Sequence, residues 1–254
     1  AHYYRDVLGL ADWEERTARR LSREFDAWAL AKIERTIGPV SGKRVLDLGC
    51  GWGLMLCELA TRNPDRSIGI EPDIERARIA RSNVDGERMI VVMGVGEELP
   101  LRTNFFDIVV CHEVLEHTAD PEKVILEIVR VLKPGGKAHI LVPNYTSFYE
   151  PHYKIAWLPL MPKALGRIYL RIRGRNPQYI NHIQYVNAIY LACLLAKHDI
   201  KYKNLGLQNT IERVERIMKQ AIHLSGVSFL TRLLAQAYTI IIHRELNLLI
   251  IKQE

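Results

Sequence analysis

The sequence has no CxxC pair. Its four cysteines, Cys50, Cys57, Cys111 and Cys193, show no metal-like spacing with histidine, so free, mostly buried thiols in a reducing compartment are the simplest reading. No apolar run is long enough to span a bilayer. The first residues, Ala1-His-Tyr-Tyr-Arg-Asp6, lack the charged-then-apolar layout of a secretory signal. There is no internal repeat and no low-complexity segment. The expectation is a cytoplasmic globular protein, with peripheral membrane contact left open.

Acid is scarce in one part only. Residues 1–150 carry 20 Lys and Arg against 24 Asp and Glu, whereas residues 151–254 carry 15 against 5. A basic part on a mildly acidic core suits an anionic partner, or equally a solvated basic surface. The 254 residues, 48% hydrophobic and 25% charged, are enough for one α/β domain with an appendage.

In the first 38 residues Trp13, Leu21, Phe25, Trp28, Leu30 and Ile33 recur near helical spacing. Gly38-Pro39 and Ser41-Gly42 then interrupt the pattern. From Arg44 strands and helices alternate: strands at 45–48, 67–70, 89–93, 107–111 and 137–142, helices at 54–61, 74–83 and 121–132. Lys133-Pro-Gly-Gly136 reads as the turn into the fifth strand. Such alternation predicts a Rossmann-like α/β fold: parallel strands joined by right-handed crossovers, flanked by helices. Residues 144–185 break the rhythm, being rich in Tyr, Trp, Pro and Arg, and read as a helical, aromatic cap inserted after the fifth strand. A helix at 188–198, a strand at 200–207, a helix at 210–242 and an apolar antiparallel strand at 243–252 complete a seven-stranded sheet. The expected organisation is N-terminal helices over 1–38, a core over 39–143 and 186–254, and an insertion over 144–185.

Gly49, Gly51 and Gly53 lie between a strand and a helix, where glycine lets the backbone approach a ligand and present N–H groups. Alone this is a weak signal, since dinucleotide dehydrogenases use a related turn. Asp47 precedes the glycines, and Glu71 closes the next strand as an acid able to accept from two ribose hydroxyls.

With these residues in place, residues 43–144 resemble the class I S-adenosylmethionine-dependent methyltransferases, especially the small-molecule and quinone group. Val45–Gly53 is similar to their glycine motif, Ile68–Asp73 to the ribose-binding strand end and Gly94–Leu101 to the adenine-side loop. Phe106–His117 and Leu132–Ala138 are similar to the fourth strand with its exit and to the turn into the fifth. The resemblance implies S-adenosylmethionine as cofactor and S-adenosylhomocysteine as product. It implies cofactor contacts from Asp47, Gly49, Cys50, Gly51, Gly53, Glu71, Pro72, Gly96, Glu97, Cys111 and His112. Val95 stands where the family commonly has an acid, which leaves the Gly96 and Glu97 backbone to read the adenine.

Candidate catalytic groups are His152, His112 and His182; His152 or His182, if it faces the cleft, could serve as general base near neutral pH or equally be a satisfied structural histidine, and His152 is the first choice for the base. Glu113, Glu116 and His117 would share one face of a helical turn, and Glu-x-x-Glu-His resembles a divalent-metal site in some RNA-end and quinone O-methyltransferases. The preferred expectation has no resident metal, with Glu116 and His117 pinning the loop by hydrogen bonds. The cap aromatics, among them Tyr145, Tyr153, Trp157, Tyr169, Tyr179 and Tyr185, could wall an acceptor pocket or form the cap's own core. Arg167, Arg171, Arg173 and Arg175, with Trp157–Met161, suit an anionic membrane or lipid-linked acceptor, although a solvated basic helix face is the preferred reading. The leading function is methyl transfer to a hydroxyl or carbon of a small or lipid-like acceptor. DNA is not an expected partner. An RNA methyltransferase or a non-catalytic cofactor-binding scaffold are the alternatives.

Overall fold

The computed structural model describes residues 23–84, 86–206 and 243–253, with positions 12, 14, 15, 18 and 208 besides. Trp13 and Leu21 of the N-terminal pattern, and the helix expected over 210–242, lie outside the described residues.

Five parallel strands lead the fold: β1 (Arg44–Leu48), β2 (Arg66–Glu71), β3 (Met89–Met93), β4 (Phe106–His112) and β5 (Leu132–Pro143). A short hairpin follows, β6 (Tyr149–Glu150) with β7 (Ile155–Ala156), and then β8 (Tyr202–Asn204) and β9 (Glu245–Ile251) rejoin the main sheet. The sheet order is β3-β2-β1-β4-β5-β9-β8. β9 runs antiparallel to both β5 and β8, so six strands share one direction and the last opposes them.

The pleat sorts side chains into two cores. Val45, Ile108, Val110 and Leu249 face α1 (Arg23–Ile37), α2 (Leu54–Ala60) and α3 (Ile74–Asn83) through Leu30, Ile33, Leu56, Leu59, Ala77 and Ala80. Leu46, Leu48, Val109 and Ile140 face the other way, against Val124, Ile125 and Ile128 of α4 (Pro121–Val131). Strands buried on both faces must be apolar at successive positions, which is why they read as runs rather than alternations. Local signals start the helices. Asp73 accepts from Arg76 N–H, and Asp120 from Lys123 N–H just before Pro121.

Several expectations shift. Phe25 and Trp28 are not on the buried stripe of α1. They lie exposed beside one another, with Lys32 over the Trp28 ring, while Leu30, Ile33 and Ile37 carry the packing. The expected turn at 133–136 is absorbed into an irregular start of β5, where Leu132 pairs with Phe106 before the register shifts. The strand expected over 200–207 shrinks to Tyr202–Asn204, a short edge carrying Lys203. Of the thiols, Cys50 and Cys111 are buried, Cys57 half-buried and Cys193 exposed.

Beyond β5 the chain forms the β6–β7 hairpin, α5 (Lys163–Ile172) and a 3-10 turn at Tyr179–His182, before α6 (Ala188–Lys197) returns to the sheet. Tyr153, Ile155, Trp157, Met161, Leu170 and Ile180 form a small core within this segment. Tyr153 and Trp157 are therefore packing residues of the segment itself.

Gly69 shows how tightly the strand end supports the loop beside it. A Cβ there would lie 2.6 Å from Cys50 Sγ and 2.7 Å from Leu56 Cδ1. Gly69→Ala should cost about 1–3 kcal/mol through overpacking, read as a lower melting temperature. An unchanged melt would show that the loop is not seated on β2.

Candidate functional site

β1 ends at Leu48 and the chain turns at once through Gly49, Gly51 and Gly53, with φ of 76°, 55° and 77°. This left-handed backbone is readily open to glycine and costly for most side chains. Gly49 and Cys50 both donate N–H to the carbonyl of Ile70, at 2.9 and 3.0 Å, so the loop sits on the end of β2. Buried Glu71 takes the next donors: Oε2 accepts from Gly51 N–H at 3.0 Å and Oε1 from Asp73 N–H at 3.1 Å. A Cβ on Gly51 would meet nothing within 4 Å, so the loop keeps an open side. Asp47 is buried next to this turn. Burial, with Asp47 and Glu71 nearby, pushes the Cys50 thiol pKa up, which keeps it protonated.

The 94–97 turn is held from the other side. Gly96 lies against Val124 and Leu48. Glu97 Oε1 accepts from Ala119 N–H at 2.8 Å, so the Glu97 side chain fastens the turn to residue 119. Arg130 holds the following loop by donating to the carbonyls of Leu99 and Leu101. Val95 is exposed, and so is Pro72 beside Glu71. Cys111 points into the core, where burial raises its pKa, which leaves its backbone as the part able to meet a ligand. His112 Nε2 is 2.7 Å from Nδ1 of His139, whose pKa burial and the Lys32 charge lower to about 4.

These residues fit the nucleoside end of S-adenosylmethionine. The open glycine turn offers close backbone approach, and each Glu71 oxygen has acceptor capacity beyond its one N–H. A surface hollow of about 370 Å³ lined by Ala60, Asn63, Pro64 and residues 86–89 lies at the opposite end of the strands. It carries none of this chemistry.

A second constellation adjoins the loop. A Cβ on Gly49 would overlap Val114 Cγ2, so the exit of β4 packs directly on the glycine turn. Two residues on, in the 3-10 turn Leu115–His117, the Glu116 side chain is wholly buried. Neither of its oxygens has a hydrogen-bond partner among the described residues. Burial pushes its pKa up to about 8. The donor atoms of Glu116, His117 and His152 lie within 4.8 Å of one another.

His152 comes from the segment between β6 and β7 and is held from behind. Its Nδ1 lies 2.9 Å from Oε1 of buried Glu150, and the Tyr145 hydroxyl donates to the same oxygen at 3.1 Å. With Nδ1–H given to Glu150, Nε2 is the basic nitrogen. Burial would lower the His152 pKa, but the Glu150 hydrogen bond and the surrounding carboxylates outweigh it and the net shift is upward. Burial and the neighbouring His152 hold the His117 pKa low. The Tyr179 ring packs beside both imidazoles.

The structure thus brings His152 together with Glu116 and His117, and it leaves other candidates out. Glu113 has φ of 53° and stands exposed, because the helical turn begins only at Leu115. It does not share a face with Glu116 as its spacing suggested. His182 is exposed at the end of its 3-10 turn, and His112 is engaged with His139. The Glu116 backbone carbonyl accepts from Gln184 N–H at 2.7 Å, which ties the 3-10 turn to the segment after β5. Glu150 and His139 were not legible as site residues in the sequence, and Tyr145 was legible only as one of the cap aromatics. An acid two residues before a histidine was the one available sign of the Glu150–His152 pair. Glu116, His117 and His152 offer one carboxylate and two imidazoles, a donor set that fits a divalent cation.

Two outcomes check this geometry. Glu71→Ala should weaken S-adenosylmethionine binding by about 1–3 kcal/mol, and unchanged calorimetric affinity would remove Glu71 from the cofactor site. Glu116 binds its proton more tightly when folded, so metal-free stability should fall as pH rises from about 4.5 toward about 8. Glu116→Gln should flatten that slope in melts with chelator present. A parallel slope in both proteins would place the titration elsewhere.

Residues 46–140 match the family described as "Methyltransferase domain". Among curated relatives, the chain is 30% identical over 135 residues to the ubiquinone biosynthesis O-methyltransferase of Acinetobacter baylyi, covering 52% of this chain and 56% of the relative. It is 33% identical over 145 residues to that of Nitrobacter winogradskyi, covering 54% and 53%. The chain spans about half the length of the curated relatives it matches. In fold it is similar to an S-adenosylmethionine-dependent methyltransferase structure from Listeria monocytogenes, described as putative, with TM-score 0.58 and 12% identity over 91% of this chain and 100% of that one. Haemonchus contortus phosphoethanolamine N-methyltransferase 2, in complex with S-adenosyl-L-methionine, superposes with TM-score 0.56 and 20% identity, over 89% and 52%. The strand order, the glycine turn closed by Glu71 and the family match over that same stretch agree: residues 46–140 match a methyltransferase domain, and the sheet has the Rossmann-like fold of the solved methyltransferases.

Proposed function

We propose that this chain moves the methyl group of S-adenosylmethionine to a hydroxyl oxygen, or a carbon, of a small or lipid-like acceptor. The observation that carries this reading is the Glu150–His152 pair, set beside Glu116 and next to the glycine turn. Bound S-adenosylmethionine supplies a methyl group already activated on its sulfonium. The glycine turn, Glu71 and the 94–97 turn hold and orient it. What the chain must add is acceptor alignment and somewhere for the acceptor's proton to go. His152 Nε2 takes that proton, and Glu150 keeps the ring oriented and stabilises the imidazolium that forms. The Tyr185 ring stacks on Tyr145 with centroids 4.8 Å apart, and its buried hydroxyl has no hydrogen-bond partner among the described residues. The curated relatives, named for O-methylation in ubiquinone biosynthesis, favour oxygen over carbon.

Glu116, His117 and His152 could also hold a divalent cation, which would lower the pKa of an acceptor hydroxyl and orient it. Exhaustive chelation separates the readings. Lost turnover, restored by added cation, assigns the cluster to metal; an unchanged rate leaves His152 as the proton acceptor.

The metal-independent reading predicts a rate that rises with pH through a midpoint above 6.5, since His152 must be neutral to accept a proton and its pKa is raised. His152→Ala should lower turnover about 10²–10⁴-fold and flatten that limb. Glu150→Gln should move the midpoint down by removing the neighbouring charge. A pH–rate profile unaltered in both variants would refute the proton-acceptor role.

A further inference from the structure

α5 is apolar on two opposite sides. Gly166 and Leu170 face inward, Gly166 so closely that a Cβ would lie 2.8 Å from the Trp157 ring. Leu165, Ile168 and Ile172, spaced three and four apart along the opposite face, are 57%, 53% and 77% exposed. The loop leading into the helix adds Leu158 and Leu160, also exposed. Leu160 adopts φ of 51°, an uncommon conformation for a leucine, and its N–H is tied to the Tyr145 carbonyl at 2.9 Å. The fold therefore holds a large apolar side chain out in solvent at a backbone cost. Five aliphatic side chains presented over about fifteen residues form a feature that a soluble domain does not need for its own packing.

The charge around them has one sign. Residues 144–185 contain Lys154, Lys163, Arg167, Arg171, Arg173 and Arg175, and a single acid, Glu150. Glu150 is buried and turned inward to His152, so this segment shows no carboxylate to solvent. Lys163 and Arg167 are engaged with Asn181. Arg171 and Arg173 are exposed, with no ion pair among the described residues.

We propose that the exposed face of α5, with Leu158 and Leu160 before it, is a docking surface for an anionic lipid bilayer. The aliphatic side chains enter the acyl boundary and the arginines meet headgroup phosphates. The chemistry selects this occupant over others. Single-stranded RNA would want aromatic faces for stacking, and the rings of this segment are buried or half-buried apart from Phe148. A second copy of the chain would bring the same positive charge against itself. The inference is independent of the proposed methyl transfer, because binding to lipid requires neither cofactor nor acceptor.

The test is co-sedimentation of the full chain with phosphatidylcholine vesicles, with and without phosphatidylglycerol. The chain should partition to the anionic vesicles and scarcely to the neutral ones. Arg171→Glu with Arg173→Glu should reduce partitioning by on the order of tenfold. Leu165→Ser, Ile168→Ser and Ile172→Ser together should reduce it comparably with the charge intact, which adhesion by charge alone would not do. All three sites are exposed, so the melting temperature should hold. No partitioning of the parent chain would overturn the proposal. So would partitioning indifferent to the serine changes, a polyuridine affinity exceeding that for anionic vesicles, or a dimer in light scattering that the serine changes dissolve.

Discussion

The site hangs on one carboxylate. Glu71 ends β2 in a buried position and accepts from the backbone on both sides of the crevice, from Gly51 and from Asp73. Those two bonds fix the turn after β1 relative to the turn after β2. The first turn is left-handed at three glycines, and Cys50 is the side chain by which it packs on the core. Removing the clamp would leave Gly51 N–H without its acceptor and let the loop sample the many states glycine allows. The close fit of Gly69 beneath Cys50 and of Val114 over Gly49 completes the restraint from below and from the side.

A different economy governs the exit of β4. There a carboxylate is buried with no hydrogen bond to its oxygens among the described residues, a costly arrangement unless the charge is neutralised by a proton, an imidazolium or a cation. Each solution makes Glu116 responsive to what enters the crevice. The Glu150–His152 pair opposite is over-restrained by comparison, with three donors converging on Glu150 from Tyr145, His152 and Tyr153. A soft group facing a rigid one suits proton transfer, since the rigid partner sets geometry and the soft one absorbs the change in charge.

Much of this was legible in the sequence, and the reason is local. Strands β1 to β4 were placed to within a residue or so, because a parallel strand buried on both faces leaves an apolar run bounded by turn residues. The glycine turn and Glu71 were legible because spacing alone sets their geometry. Long-range partnership was not. His152 meets Glu116 only because the insertion folds back over β4, and nothing in residues 113–117 announces a partner thirty-five positions on. Glu113 misled for the opposite reason: its spacing fits a helix, but the backbone first takes a positive φ there. Phe25 and Trp28 fit the periodicity of α1 while lying off its buried stripe. Periodicity reports what could face the core, and packing decides what does.

The two ends of the segment between β5 and α6 have their own meaning. Tyr145 N–H donates to the Val186 carbonyl at 3.1 Å, and Gln184 N–H reaches Glu116, so some forty residues leave and re-enter the sheet through a narrow neck. A segment closed at its neck and filled by its own small core is nearly a guest in the fold. Its length and sequence can change at little entropic cost to the strands that carry it. On the proposed chemistry, the Glu150–His152 pair is what any replacement for the guest would have to reproduce.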